Sequence, residues 1–414
     1  MNKKNMNSSK IDKNKRVVVT GLGVVSSLGI GWEEFWKNLM AGKSGISKIT
    51  SFDTSQYDRH YGGEVRGFEA GKFMNRHKVK TMGRASQMAI AAAKLALGDG
   101  KLKLINAVRE RMGVCIGTTL GESQVIEQIV KHATRNQKFN ALTLRALVYP
   151  TDIISTNLAN EFEICNSNLI FANACAAGNF AVGYAYDLIR TGKVDYMMAG
   201  GVEPLSRIGF TGFRRLYAMA PDKCQPFDRN RQGMMLGEGA GIIILENLDN
   251  ALKRKADIYA EVLGYGLSCD ACHMTEPSVD GIVSAMKKAL DSAHINADQV
   301  DYINAHGTGT KENDKAECEA INRVFPKKYV PVSSIKSMLG HTMGAAAALE
   351  TITCCLAIKK NKIPPTINVQ EQDPECNIDC VVGKGRNCNV KIAFNNSQAF
   401  GGSNGCVVLK SIKK

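Results

Sequence analysis

NLIFANACAAGNFAVGYAYDLIRTGKVDYMMAGGVEP, residues 168–204, reads as an apolar strand, a turn of small residues, an amphipathic helix and a second apolar strand that ends in glycines. Two apolar strands bracketing a helix are the unit of an α/β protein with a largely parallel sheet. Cys175 sits in the turn, just ahead of the helix. A free cysteine is ordinarily a small buried hydrophobe, and this chain has thirteen. Position separates this one from the rest: a thiol at a helix N-terminus feels about half a positive charge and several unpaired N–H groups, which favour a thiolate and can hold an oxyanion. Cys115, Cys165, Cys354, Cys355 and Cys406 fall on apolar strands or helix faces and read as core thiols.

The same alternation runs along the chain. RVVVTGLGVVSSLG opens with a buried strand at 16–20 and a glycine turn, and the helix WEEFWKNLMAG follows. SQMAIAAAKLAL is a small-residue helix and MGVCIGTTLG a strand. The strand–helix series restarts near residue 260 with YAEVLGYGLS, the helix DGIVSAMKKALDSA and the strand VDYINAHGTGT. That restart predicts two similar halves, 16–260 and 261–414, behind a basic tail at 1–15, although no close sequence repeat is visible. Gly21 and Gly23 hint at a dinucleotide fingerprint, but Ser26 stands at the third glycine position, which argues against a nicotinamide site.

Composition excludes several classes. A chain of 414 residues with 44% hydrophobic and 22% charged residues can bury a large core. The start, MNKKNMNSSKIDKNK, has no apolar run, so a reducing cytosol with free thiols is expected. The most apolar helical segment, GAAAALETITCCLAI, is short and carries Glu350, so no membrane span is expected. The formal charge of +14 comes without zinc-finger spacing or an aromatic-basic RNA signature, and an acidic protein partner suits it better than nucleic acid. CDACH at Cys269, Cys272 and His273 matches a c-type haem attachment pattern; without an export signal it reads as coincidence, as does the pair Cys376 and Cys380 as a metal hint.

Chemistry in open α/β sheets collects in loops at the carboxyl ends of strands. Besides Cys175, those loops carry His306 in NAHGTGT, His341 in SSIKSMLGHTMGAAAALE with Lys336 and Glu350 nearby, and Phe400 in AFNNSQAFGGSNG. A nucleophilic cysteine with two neutral imidazoles suits a reaction that builds charge on a thioester oxygen. Zinc is the competing use of these residue types, but short paired ligand spacing is missing.

NACAAG, NAHGTGT, SSIKSMLGHTMGAAAALE, QPFDRNRQGMMLGEGAG, CDACHMTEP and AFGGSNG, in that family's order over roughly 16–410, resemble the decarboxylating β-ketoacyl-acyl carrier protein synthases of the elongating, two-histidine type. The resemblance implies a thiolase-type α/β fold, with duplicated βα halves in five layers (αβαβα), and a homodimer. It implies that Cys175 takes an acyl chain from an acidic acyl carrier protein, with the N–H groups of Cys175 and Phe400 as oxyanion hole. His306 and His341 then stabilise the enolate left when malonyl-carrier protein loses carbon dioxide. Lys336, paired indirectly with Glu317 and Glu350, organises the site, and Phe400 gates it. Thr308 and Thr310 match positions that bind the phosphopantetheine arm, and Leu120 matches a position lining the acyl pocket. Asn304, Glu350, Asn395 and Asn396 match a monovalent cation site for Na+ or K+. Arg76, Lys78, Lys80, Arg84, Arg214 and Arg215 resemble the docking region for the carrier protein.

Gln398 and Ala399 replace the aromatic-glycine pair common before the gating aromatic, Gln232 replaces a frequent aspartate, and Ala176 and Ala177 replace a bulkier or hydroxylated pair. A thiolase would use a second cysteine as base, whereas the late glycine-rich loop carries Phe400 and its nearest cysteine is Cys406. A non-catalytic partner subunit that sets chain length usually lacks the nucleophile that is present here.

Overall fold

The computed structural model describes residues 15–134, 149–326 and 329–412. The 1–15 tail lies outside them except for Lys15, which reaches Asp195 at 3.5 Å. Ten longer strands are numbered in chain order. The first five are β1 Val17–Ser26, β2 Met112–Gly117, β3 Asn168–Phe171, β4 Tyr196–Glu203 and β5 Gly239–Asn247. The second five are β6 Ala260–Cys269, β7 Tyr302–Asn304, β8 Pro331–Ser333, β9 Ile392–Gln398 and β10 Ser403–Lys410.

Each set of five repeats one topology. The first half runs β1-β5-β4-β2-β3, with antiparallel pairs up to β4 and parallel pairs from there to β3. The second half runs β6-β10-β9-β7-β8 with the same directions, and the short strand Asp379–Cys380 adds an edge. The halves join where Val17–Val19 pairs antiparallel with Ala260–Val262. A duplication invisible as sequence identity is therefore plain as strand order.

Helices α1 Arg84–Asp99 and α2 Ile153–Phe162 cover the outer face of the first sheet, and α4 Val279–Ala293 and α5 Lys311–Val324 that of the second. Between the sheets lie α3 Ala177–Arg190 and α6 Ala346–Lys360. Ala181, Val182, Leu349 and Ile352 of these two helices share one core with Val19, Ile243, Val262 and Val407 of both sheets. Five layers follow, as the resemblance implies. Helix α6 is buried around its whole circumference from Ala346 to Ile358, Glu350 included, which fits a helix with a sheet on each side. Among the described residues no helix is long and apolar enough to cross a membrane.

Strand β1 departs from the expected strand at 16–20 with a glycine turn. It continues, with a β-bulge between Val19 and Gly21, through Gly23 to Ser26. The glycines are there because α1 packs directly on the strand: a Cβ at Gly23 would lie 1.8 Å from the Ala92 carbonyl oxygen and one at Gly21 2.2 Å from that of Ala96.

Candidate active site

Cys175 lies in the single 3-10 turn Ala174–Ala176 that feeds α3, and Ala174 is held at φ 47°. The second half repeats this device. The turn Met343–Ala345, with Met343 at φ 51°, feeds α6, and the two turns pack against each other. Such left-handed non-glycine residues cost free energy and persist where packing enforces them.

A cavity of about 480 Å³ brings together Cys175, His306, His341, Phe400, Thr308 and Thr310, so the strand-end loops of both halves converge. The imidazole rings of His306 and His341 meet edge to face at 5.2 Å between centroids. The segment QPFDRNRQGMMLGEGAG fixes one of them: the His341 N–H donates to the Met235 carbonyl at 2.6 Å and its carbonyl accepts from Gly237 at 3.0 Å. The ring is oriented too, because His341 Nδ1 accepts from the Met343 N–H at 3.2 Å. A nitrogen that accepts carries no proton, so Nε2 carries it and is the donor. Burial first, then Lys336, holds both imidazoles well below the ordinary value, with His341 also lowering His306. Both rings are neutral, and a hydrogen bond fixes the tautomer of His341, whereas His306 Nδ1 is buried without a hydrogen-bond partner among the described residues.

Neutral burial of two histidines makes stability depend on pH with a definite sign. Below 6.5, the ordinary imidazole value, the unfolded chain takes up protons that the folded chain does not. Stability therefore falls as pH falls, by about 1.4 kcal/mol per pH unit for each imidazole. A His306→Asn/His341→Asn protein should lose less melting temperature between pH 7 and pH 5.5 than the parent. Equal losses in thermal melts would show that the rings are protonated in the fold.

Lys336 and Glu350 form a fully buried ion pair behind the cavity. The pairing is direct rather than the indirect one expected. Glu317 does something else, accepting from the N–H groups of His306 and Gly307, each at 2.7 Å, and from Asn396 Nδ2 at 2.6 Å. Burial pushes its carboxyl up to about 7 against those bonds. Gln398, buried beside it, points Nε2 at the same carboxylate from 3.5 Å.

Other expectations need correction. The helix-end position does not make Cys175 acidic, since complete burial outweighs Lys336 and pushes the thiol up to about 12, with Glu203 and Glu350 adding to the rise. At neutral pH Cys175 is held as a thiol. Leu120 does not line the cavity: its N–H donates to Glu203 at 2.8 Å and its side chain meets Gly209. Arg84 is no docking residue, because its guanidinium is largely buried on Glu238 at 2.6 Å. Lys78 pairs with Glu161 at 2.5 Å, and Arg214 with Asp58 at 2.8 Å, while Arg76, Lys80 and Arg215 are exposed. Cys165 is exposed rather than a core thiol.

Thr308 and Thr310 share a hydroxyl contact at 2.9 Å on the cavity wall. Phe400 stacks on Phe213 at 5.7 Å and stands half-buried at the opening. Its loop is tied to CDACHMTEP, since Gly401 N–H donates to the Met274 carbonyl at 2.8 Å and Asp270 N–H to Gly402 at 2.9 Å. That motif thus supports the opening, where Met274 to Pro277 line the cavity. Among the described residues no group of three or more His, Cys, Asp or Glu could hold a metal. Two oxygens of the expected cation set, Glu350 Oε2 and Asn395 Oδ1, are buried without a hydrogen-bond partner among the described residues. Buried lone acceptors of this kind fit a hard cation. Asn304 and Asn396 fit it less directly, because their amide oxygens accept from Tyr302 and Cys406.

The chain belongs to the β-ketoacyl synthase family: the family's N-terminal domain model matches residues 14–251 and its C-terminal domain model 259–370. It is 38% identical over 412 residues to a 3-oxoacyl-[acyl-carrier-protein] synthase 2 of Synechocystis, covering 96% of this chain and 98% of that one. Among solved structures, the ishigamide ketosynthase/chain length factor superposes with a TM-score of 0.93 at 43% identity, over 97% of this chain and all of the other. A type II polyketide ketosynthase bound to its hexaketide and acyl carrier protein superposes with a TM-score of 0.88 at 33% identity, over 97% of this chain. The fold is the thiolase type.

Proposed function

We propose that this chain condenses an acyl thioester with malonyl-acyl carrier protein, with loss of carbon dioxide, to give a β-ketoacyl-acyl carrier protein two carbons longer. The observation that carries this reading is one cavity holding a buried thiol and two imidazoles kept neutral, one with its Nε2–H fixed as donor. In the first step the Cys175 sulfur attacks the acyl carbonyl and the carrier thiol leaves with the proton. In the second, the malonyl carboxylate leaves as carbon dioxide and the electron pair collects on the thioester oxygen, where the imidazole N–H groups of His306 and His341 donate to it. The carbanion then attacks the acyl carbonyl and expels the Cys175 thiolate, the N–H groups of Cys175 and Phe400 serving the tetrahedral oxyanion. Burial and, after it, Lys336 keep both rings neutral, Lys336 favours the departing thiolate, and Glu317 fixes the His306 loop.

Thr308 and Thr310 suit the amides of a phosphopantetheine arm. A Na+ or K+ ion, if bound, would be held by Glu350 and Asn395 with Asn304 and Asn396 beside it, and would supply positive charge for an otherwise unmatched carboxylate oxygen. The exposed cations Arg76, Lys80 and Arg215 suit an acidic carrier protein. Charge reversal of those three should raise KM for carrier-bound substrate several-fold at low salt with little change in kcat. Arg84→Ala should instead lower the melting temperature. Equal KM values for parent and charge-reversed protein would move the docking surface elsewhere.

Strand β3 is an edge with one neighbour, and its last residue, Phe171, packs on Phe180 and on Tyr184, which is 41% exposed. An edge strand with an aromatic cluster is a surface that proteins cover. A homodimer through β3 covers it; a chain length factor, the second subunit named with the similar ishigamide ketosynthase, is the other reading. The function is tested by mixing acyl- and malonyl-carrier proteins with the purified protein and weighing the carrier-bound product. A mass two carbons longer with a keto oxygen supports the proposal, and unchanged thioesters across a panel of chain lengths sink it.

A further inference from the structure

Glu203 ends strand β4 at its carboxyl edge, is 1% exposed, and makes no ion pair among the described residues. Its carboxylate instead gathers four donors from two loops. Oε2 accepts from the N–H of Thr119 at 2.5 Å, from the Thr118 hydroxyl at 3.3 Å and from the N–H of Gly344 at 3.2 Å, and Oε1 accepts from the N–H of Leu120 at 2.8 Å. The first loop leaves strand β2, and the second is the turn Met343–Ala345. At this junction the loops touch: a Cβ on Gly344 would lie 2.4 Å from Thr118 Cα. The turn in question carries the N–H of Met343 that orients His341, and it packs on the turn of Cys175.

We propose that Glu203 is a positioning residue of the condensing site: its carboxylate clasps the loop at 118–121 to the turn at 343–345 and so sets His341 against Cys175. The proposal rests on the condensing reading given above. A filler of three orphan N–H groups need not be charged, yet here the charge reaches the nucleophile. Glu203 and Glu350 both oppose ionisation of Cys175, Lys336 favours it, and neutral His306 and His341 share the cavity. Burial pushes the Glu203 carboxyl itself up to about 7 despite its four bonds.

Two variants separate position from charge. Glu203→Gln keeps size and one acceptor but removes the charge; Glu203→Asp keeps the charge but shortens the reach. Alkylation of Cys175 by iodoacetamide, followed by mass across pH 7 to 9.5, needs no acyl substrate and stays readable even if no condensation is found. Glu203→Gln is expected to alkylate about three- to tenfold faster than the parent at pH 8 to 9.5, a shift of about half to one pH unit, and by less at pH 7, because the opposing charge it removes is there only in part. Glu203→Asp should keep the parent alkylation profile. Both should lower kcat for condensation about tenfold, since each loosens the clasp. A Glu203→Gln protein with the parent alkylation profile, or a Glu203→Asp protein with the parent kcat, overturns the proposal.

Discussion

Cys175→Ala is expected to lose condensation by four orders of magnitude or more, to about the background rate, while malonyl decarboxylation continues. The two steps use different groups. Acyl transfer needs the sulfur, and no other thiol can take over: of the remaining cysteines, none lines the cavity. Decarboxylation needs donors for an enolate oxygen, and the neutral rings of His306 and His341 are held by their own frameworks, Glu317 behind one and Met235, Gly237 and Met343 around the other. The carbon dioxide released from malonyl-carrier protein, measured without any acyl donor, separates these steps. Loss of both activities in a folded Cys175→Ala protein would mean that the sulfur also organises the enolate site.

The second large effect concerns Lys336. Lys336→Ala leaves Glu350 as an uncompensated charge at 1% exposure, which typically costs about 3–5 kcal/mol. Lys336→Met/Glu350→Leu removes both charges and keeps much of the volume, so it should recover most of the melting temperature. It should not recover activity. Lys336 lies among the causes that keep His306 and His341 neutral and that favour the Cys175 thiolate. Without it, the acid limb of the decarboxylation profile should move to higher pH. A double variant with full activity would make the pair purely structural.

Much of this was legible in the sequence because single residues announce themselves at strand ends. Cys175 before a small-residue helix, His306 after an apolar strand, His341 among glycines past the short helix Lys336–Leu339, and Phe400 in a glycine-rich loop all converge in one cavity. The duplication was legible only as a restart near residue 260; strand order shows it fully, and strand order is not written in local pattern. Gly21 and Gly23 read as a turn because glycine marks turns, whereas here it marks the close approach of α1. Arg84 read as surface charge because its partner, Glu238, lies 154 positions away. Glu203 carried one signal that reasoning from apolar runs passed over, a carboxylate closing a buried strand in VDYMMAGGVEP. The acidity of Cys175 was misjudged for a physical reason: proximity to a helix end is local, while desolvation is set by every layer packed around it.

The most direct test is the site of acylation. The purified protein is exposed to an acyl-carrier protein, weighed intact and mapped by peptide across its thirteen cysteines. One acyl group per chain, on the peptide containing Cys175 and lost in Cys175→Ala, is the predicted result; an adduct on another cysteine, or none with any acyl donor, contradicts it.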